Sequence, residues 1–173
     1  MAGAIDLQAL HTVCAFTANT TNFWSDAATV MLNKFHPEPP PPTVMAVVHD
    51  GAASTMHLTW TAPAARTQED HANEKDATEH GAYAIAIAAV HHRGYRVCRR
   101  THQGSGADLL MVRDGEPQND FVKLEVSGIA RDGSVTARLK EKVAEVRGGD
   151  LRRPGVAAVV RFKAAGVTME STP

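Results

Sequence analysis

Two carboxylates lie in neighbouring apolar segments near the middle of the chain. Asp108 lies near the start of the run 107–112, and Glu125 lies inside the run 121–126. Both runs have the length and composition of β-strands. Carboxylate oxygens suit hard divalent cations such as magnesium, which phosphoryl-transfer sites use to stabilise charge that develops on phosphate. The spacing therefore predicts a metal site shared by two adjacent strands.

Lys123 and Ser127 accompany Glu125 on one face of its predicted strand, because alternate side chains of a strand point to opposite sides. The other face is filled by three apolar residues, Val122, Leu124 and Val126. Apolar neighbours indicate a central strand, in which a buried acid needs a cationic partner or a metal. The alternative is that Glu125 lies on the solvated face of a half-exposed sheet.

A long helix over residues 68–92 is predicted to bring a third acid to the same region. Its second half, 81–90, is apolar on nearly every side and is therefore expected to be buried. Glu79 lies at the border of that half, and its helical neighbours Ala82 and Ala86 form a small-residue face that lets the helix approach the sheet closely. Alternatively, Glu79 continues the solvated acidic half of the helix.

The other elements of this part of the chain follow in a regular order. Strands are predicted over 95–100, 107–112 and 121–126, and a capped helix over 134–147 precedes a further strand over 156–162. A strand, a helix and a strand of these lengths predict a parallel pair of strands joined by the helix. The last ten residues of the chain are expected to be frayed.

The first part of the chain is predicted to be a separate helical piece, residues 1–37, with a short helix over 27–35 that Ser25 or Asp26 caps. Residues 38–43 hold a run of prolines that is expected to act as a stiff spacer, and an SH3-type ligand is the less favoured alternative. Residues 44–173 are then predicted to hold a β-hairpin followed by the α/β domain.

Three other clusters are interpreted without a catalytic role. Cys14 and Cys98 lie far apart and lack a CxxC motif, so buried free thiols are expected. The segment 91–102 holds four arginines and three histidines, which indicates a basic surface patch rather than a zinc site. The glycines of 103–108 lack a Walker lysine and dinucleotide spacing, and they are expected only to let the backbone pass close to the site.

The composition is that of an ordinary globular protein. The chain has 173 residues, of which 43% are apolar and 21% are charged, and this length is sufficient for a proper core. It has neither a long apolar run nor a secretory signal, so we expect a cytoplasmic protein without membrane contact. Residues 1–90 carry 3 Lys/Arg against 9 Asp/Glu, whereas residues 91–163 carry 15 against 9. The basic half contains the candidate site, which favours a polyanionic partner.

The predicted order of helix, strand, strand, strand, helix and strand, with acids at Glu79, Asp108 and Glu125, resembles the PD-(D/E)XK, or restriction-endonuclease-like, nuclease superfamily. The resemblance covers about residues 68–163, and the stretch Leu124-Glu-Val-Ser-Gly128 is similar to a small bacterial branch of that fold. It implies an α/β fold in which a mixed central sheet is flanked by helices. Here an N-terminal helix and a β-hairpin extend that core.

The resemblance also assigns roles to the three acids. Asp108 and Glu125 would hold one or two magnesium or manganese ions, and Glu79 would act as an auxiliary ligand or base. Such ions act as Lewis acids and activate water.

Ser127 stands where the superfamily's motif has a lysine. A serine hydroxyl binds water, but it cannot supply positive charge to a transition state. The first candidate to replace the lysine is Lys123, and the alternatives are Lys140 and Lys142 of the following helix.

The activity implied by the resemblance is that of a magnesium-dependent nuclease, an endonuclease or exonuclease that hydrolyses DNA phosphodiester bonds. Phosphate contacts are expected from six basic residues: Arg96, Arg99, Arg100, Arg138, Lys140 and Lys142.

Two other functions stay open. The chain could be a catalytically inactive relative that serves as a binding or assembly subunit of a bacterial defence-type complex, which Ser127 favours. Its N-terminal region would then contact a partner protein or a second copy in a homodimer. The remaining alternative is an α/β domain of another function, in which the resemblance is accidental.

Overall fold

One mixed β-sheet organises the computed structural model, which describes residues 4–37, 43–117 and 119–173. Within these residues, eight strands are joined in the order β1-β3-β2-β8-β7-β6-β5-β4. The strands are β1 (Ile5–Asp6), β2 (Thr43–His49), β3 (Ala52–Thr59), β4 (Tyr95–Arg100), β5 (Leu109–Arg113), β6 (Val122–Ile129), β7 (Gly155–Arg161) and β8 (Gly166–Thr172). The helices are a 3-10 helix (Leu7–Thr12), α1 (Ala18–Phe35), α2 (Ala65–Asp70), α3 (Glu74–His92) and α4 (Val135–Gly148). The predicted α/β class with a mixed sheet is confirmed.

The elements from α3 to β7 follow the predicted order. Strands β4, β5 and β6 form an antiparallel meander, and β6 pairs in parallel with β7 after α4. The predicted parallel pair joined by a helix is therefore confirmed. On the other side of β7 the sheet continues through β8, which is antiparallel to β7 and parallel to β2.

Helices cover the two faces of the sheet. The main apolar core lies between the sheet and α1 and α3, and it includes Leu124 and Val126 of β6. A smaller cluster on the opposite face joins Val143 and Val146 of α4 to Ala157 of β7. β6 is therefore covered on both sides, which is why its polar residues have to find partners inside the protein.

The predicted single helix over 68–92 is wrong, because the chain forms α2 and α3 with a break between them. Asn73 ends the break, and its side-chain oxygen accepts hydrogen bonds from the N–H groups of Lys75 and Asp76 at 3.0 and 3.3 Å. An asparagine in this position satisfies N–H groups that lack a carbonyl partner at a helix start. The buried half of α3 is as predicted, since residues 81–90 are all buried.

The expectation of a frayed C-terminus is also wrong. Residues 166–172 form β8, which lies in the interior of the sheet between β2 and β7. Val167 and Met169 are buried in the main core, whereas Glu170, the next residue of β8, is exposed. This alternation is that of a strand, and the pairing with β2 links residues more than 100 positions apart, which no local pattern reveals.

The N-terminal helix is longer than predicted and packs on α3. It begins at Ala18 with Thr17 as its N-cap, and the Ser25 hydroxyl donates to the Leu7 carbonyl at 2.6 Å instead of capping a helix. Gly81 allows close contact, because a Cβ at that position would lie 2.9 Å from the Ala28 backbone. Residues 38–42 of the predicted polyproline spacer lie outside the described residues.

Two further sequence expectations can be compared with the fold. The β-hairpin is confirmed as β2 and β3, and Asp50 and Gly51 at its turn both have positive φ. Cys14 is buried, Cys98 is half-buried, and both are free thiols. No helix among the described residues is long and apolar enough to cross a membrane.

Candidate functional site

Asp108 lies where β5 and β6 part. Its backbone N–H donates to the Leu124 carbonyl at 3.0 Å, and β5 begins at the next residue. β6 continues beyond this pair, where its Val126 N–H donates to Asp108 Oδ2 at 2.8 Å. The carboxylate thus replaces the strand that has ended and is held against the backbone of β6.

Tyr83 of α3 fixes the second oxygen of this carboxylate. Its hydroxyl donates to Asp108 Oδ1 at 2.9 Å. Burial, together with the nearby Asp108 charge, raises the pKa of Tyr83 well above its usual value. The hydroxyl therefore keeps its proton and acts as a donor. Both oxygens of Asp108 consequently have a fixed position at the junction.

Glu125 lies under α4, where two charged side chains of that helix meet it. Lys142 Nζ lies 2.8 Å from Glu125 Oε1 and 2.7 Å from Glu145 Oε2. Lys142 and Glu145 are three residues apart and so lie on the same side of α4. Since Glu125 is only 6% exposed, this ammonium is its main source of positive charge within the described residues.

Burial raises the pKa of Glu125 to about 8, and a hydrogen bond with Glu145 and the charge of Asp108 act in the same direction. Lys142 opposes the shift without cancelling it. Burial acts to raise the pKa of Glu145 as well, but its hydrogen bonds with Glu125 and Lys142 outweigh this effect and lower that pKa. Burial therefore favours the protonated form of Glu125, whereas the hydrogen bonds favour the ionised form of Glu145.

Two surface cavities border this cluster. Asp108, Glu125 and Glu145 line a cavity of about 440 Å³ next to the glycine-rich loop. Glu79 and Ser127 line a cavity of about 570 Å³, together with Lys142 and Arg138. Lys142 borders the second cavity while it is bonded to Glu125 of the first, so the Glu125–Lys142 pair lies between the two.

Comparisons with family models, with curated proteins and with solved structures found no match to this chain. The chemistry of the site is therefore inferred from the arrangement of its side chains.

The carboxylates at the first cavity are donor groups of the type that magnesium binds. No group of three His, Cys, Asp or Glu side chains in the described parts of the chain is arranged to hold a metal. Magnesium, however, commonly binds through one or two carboxylates and keeps several waters. Three carboxyl groups, those of Asp108, Glu125 and Glu145, thus lie around one ammonium, that of Lys142.

Lys123 shares the α4 face of β6 with Glu125, as the alternation predicts, but its ammonium has a different partner. It donates to the Val146 carbonyl in the last turns of α4. Lys123 is 2% exposed, and within the described residues it forms no ion pair. The structure therefore does not bring Lys123 and Glu125 together, and it brings Lys142 to the acid instead.

Glu79 and Ser127 lie together at the second cavity, on the other side of the Glu125–Lys142 pair. Glu79 is exposed on α3. Gly128 of β6 allows α3 to approach, because a Cβ there would lie 2.5 Å from the Thr78 carbonyl oxygen. The predicted close approach of helix and sheet is therefore confirmed, and it leaves Glu79 at the rim rather than beside Asp108.

The glycine-rich loop packs on the end of α4. A Cβ at Gly106 would collide with the Glu145 carbonyl, and one at Gly149 would collide with the Ser105 backbone. Gly106 also has a φ of +74°, which favours glycine. The loop thus fixes the turn of α4 that carries Glu145, in keeping with the predicted role of these glycines.

The three predicted phosphate contacts of β4 lie on an edge strand of the sheet and are exposed. The Arg100 guanidinium lies 5.8 Å from the centre of the Tyr83 ring, whose hydroxyl contacts Asp108. Arg99 stacks on Phe121 at 4.4 Å, and Arg96 is exposed on the same strand.

The three basic residues of α4 differ from one another. Arg138 borders the second cavity and pairs with Glu141 at 3.1 Å. Lys140 is exposed, whereas Lys142 is held between Glu125 and Glu145. Of the six basic residues, Lys142 is therefore the one in direct contact with the acid cluster.

The sequence interpretation missed Tyr83 and Glu145. Tyr83 is a polar hydroxyl in an otherwise apolar helical run, one turn after Glu79, and such a group requires a buried partner. Glu145 follows Lys142 at a spacing of three, which is a helical ion pair. Both features were visible in the sequence, but neither indicated that Asp108 or Glu125 was the further partner.

Proposed function

We propose that this chain is a magnesium-dependent nuclease of the PD-(D/E)XK type that hydrolyses phosphodiester bonds of DNA. The observation that carries the proposal is the position of Asp108 and Glu125 at one cavity, where β5 and β6 part. Lys142 supplies a cation 2.8 Å from Glu125. Two acids and a lysine are the residue types that the resemblance requires.

The order of the elements supports the same proposal. The resemblance implies a mixed sheet formed in the order helix, three strands, helix and strand, and α3, β4, β5, β6, α4 and β7 follow that order in a mixed sheet. The acids lie on the second and third of these strands or directly before them. The restriction-endonuclease-like core is therefore part of the proposal.

Asp108 and Glu125 would hold the ion, and Glu79 would act from the rim of the neighbouring cavity. A bound magnesium ion supplies Lewis-acid stabilisation of phosphate oxygens and activation of water. Asp108 is prepared for this role because Tyr83 and the Val126 N–H fix its two oxygens. Glu125 would release its proton when it binds the cation, since a metal ligand must be deprotonated.

Lys142 takes the part of the lysine that Ser127 replaces. It reaches Glu125 from α4 instead of from β6, so the positive charge comes from a different element. Its ammonium is then available to orient a water or a phosphate oxygen beside the acids. Ser127 lies at the neighbouring cavity, where its hydroxyl can bind water.

The test is cleavage of DNA with magnesium or manganese by the wild-type protein and by Asp108→Ala. The proposal expects metal-dependent cleavage in the wild type and its loss in the variant, and Asp120→Ala in an exposed loop is the matched control. Lys142→Ala should reduce cleavage strongly, because it removes the cation beside Glu125. Equal cleavage by Asp108→Ala and the wild type would refute the assignment.

A catalytically inactive binding or assembly subunit is the second candidate. One observation favours it: Lys142 already provides Glu125 and Glu145 with a counter-charge, so these acids have a cationic partner without a metal ion. A partner or a second copy would then contact the N-terminal region, where Phe23 of α1 is 48% exposed. Light scattering that shows a dimer or a larger assembly of the purified protein, together with the absence of magnesium binding, would support this function over the nuclease.

A further inference from the structure

Lys123 is a buried ammonium group without a carboxylate partner among the described residues. It is 2% exposed, and its one hydrogen bond is to the Val146 carbonyl. A buried charge is costly unless it is paired. The neighbouring Glu125 has Lys142 for this purpose, whereas in the described residues no acid lies within ion-pair distance of Lys123. A bound anion would supply a counter-charge at this position.

A cavity of about 330 Å³ lies beside Lys123, at the C-terminal end of α4. Three arginines complete its basic wall, namely Arg147, Arg152 and Arg153. All three are exposed, and none forms an ion pair within the described residues. Four cationic groups thus surround one cavity.

Two contacts hold part of this wall in place. The Arg153 guanidinium donates to the Asn119 carbonyl at 3.0 Å and lies 6.0 Å from the centre of the Phe121 ring. Asp150 is close enough for its charge to act on Lys123, and its carboxylate lies 3.2 Å from the His102 ring. Pro173, whose carboxylate ends the chain, also lines the cavity. The four cationic groups still outnumber these two carboxylates, so the cavity keeps an excess of positive charge.

We propose that this basic cavity, formed by Lys123, Arg147, Arg152 and Arg153, binds a phosphoryl group. Guanidinium groups bind phosphate oxygens through paired hydrogen bonds, and an ammonium adds a compact charge. Four cationic donors around one cavity match an anion with several acceptor oxygens better than they match a single carboxylate. A bound phosphate would also give Lys123 the counter-charge that it lacks.

The site is separate from the proposed catalytic cluster, although both lie on one strand. Lys123 and Glu125 are two residues apart, roughly 7 Å along β6. Phosphate binding at the basic cavity needs neither a divalent cation nor the acids Asp108 and Glu125. The phosphoryl group can come from a free phosphate or nucleotide, or from a nucleic-acid strand, since the chemistry that recognises it is the same.

The experiment is a calorimetric titration of the full chain with inorganic phosphate in the presence of EDTA. We expect saturable binding to one site, weakened about tenfold in Arg152→Gln because one charged contact is lost. Arg66→Gln is the matched control, since Arg66 is an exposed arginine on α2. The absence of saturable binding, or equal affinity in Arg152→Gln and Arg66→Gln, would overturn the proposal.

Lys123→Met provides a second variant of similar side-chain volume, and its folding is checked by circular dichroism because Lys123 is buried. It should weaken phosphate binding at least as much as Arg152→Gln, and an unchanged affinity in the folded variant would also overturn the proposal. Glu125→Ala should retain phosphate binding. If Glu125→Ala loses metal binding but keeps phosphate binding, the two sites are independent. A failure of the nuclease proposal would then not imply a failure of this one.

Oligonucleotides then identify the source of the phosphoryl group. If a 5′-phosphate raises the affinity of the wild type but not of Arg152→Gln, the site binds strand ends. If oligonucleotides with and without the phosphate bind equally and both depend on Arg152, the site binds the backbone. If free phosphate binds and neither oligonucleotide depends on Arg152, the site is one for small anions.

Discussion

The two faces of β6 are both buried, but one is lined by apolar residues and the other by ionisable ones. On the α3 side, Leu124 and Val126 lie in the apolar core and Gly128 lies against α3. On the α4 side, Lys123 and Glu125 are almost fully buried although both are ionisable. The first face is stabilised by close packing, which needs no specific partner charge. The second depends on ionic and hydrogen-bonded partners. We therefore expect substitutions on the first face to affect mainly the stability of the fold, and substitutions on the second to affect mainly the proposed site.

The largest effect on stability is expected on the packed face, from Gly128→Ala. The new Cβ would lie 2.5 Å from the Thr78 carbonyl oxygen, so α3 or β6 has to move. We expect a loss of about 3 kcal/mol in the free energy of unfolding, measured by urea denaturation. Gly148→Ala is the control, because nothing lies within 4 Å of a Cβ at that position. Equal stability of the two variants would show that the α3 contact is not close-packed.

A smaller and pH-dependent effect is expected on the charged face from Lys142→Met. At pH 9 the variant either leaves Glu125 ionised without its counter-charge or forces it to bind a proton. We therefore expect the free energy of unfolding to fall by about 2 kcal/mol. At pH 6 Glu125 is already protonated, so the loss should be smaller. Lys140→Met on the exposed side of α4 should change the free energy of unfolding by less than about 0.5 kcal/mol at both pH values. A loss that is the same at pH 6 and pH 9 would contradict the assigned network.

The pH dependence of stability tests Glu125 itself. Its pKa is about 8 in the folded protein against a usual 4.5. The protonated carboxyl therefore contributes stability that is fully present below pH 4.5 and is lost as the pH rises to about 8. The slope reaches at most about 1.4 kcal/mol per pH unit. Because the pKa of Glu145 is lowered, its own contribution changes only below its usual value, outside this range.

Glu125→Gln should remove most of this slope between pH 5 and about 8, as followed by urea denaturation at several pH values. Glu141→Gln, an exposed acid of the same helix, should keep it. If Glu125→Gln and the wild type had the same slope, Glu125 would not be the group that binds the proton.

Local patterns were sufficient to predict much of the region that holds the site. Alternation placed Lys123, Glu125 and Ser127 on one face of β6. A capped helix was predicted from residue 134, and Ser134 does cap α4, where its hydroxyl accepts from the Ala137 N–H at 3.1 Å. The order of elements from α3 to β7 followed from the same kind of reasoning. These features depend on neighbours in sequence, which a single chain reveals directly.

Contacts between distant segments were not predictable in this way. Alternation showed which face Lys123 occupies, but a long flexible side chain can turn toward either end of α4, and it bonds to Val146 rather than lying beside Glu125. The insertion of β8 between β2 and β7 likewise depends on pairing across the whole chain. The position of Lys142 was one of two alternatives on α4, and only the packing of that helix on β6 distinguishes it from Lys140.

Magnesium binding, measured by calorimetry on the wild type and on Glu125→Ala, tests the central claim most directly. The proposed nuclease site predicts saturable binding in the wild type, with release of protons from Glu125 at neutral pH, and no binding in the folded variant. Glu116→Ala, an exposed acid in the turn before β6, is the control and should bind as the wild type does. Absence of binding by the folded wild-type protein, or equal binding by Glu125→Ala, would contradict the assignment of the acid cluster as a metal site.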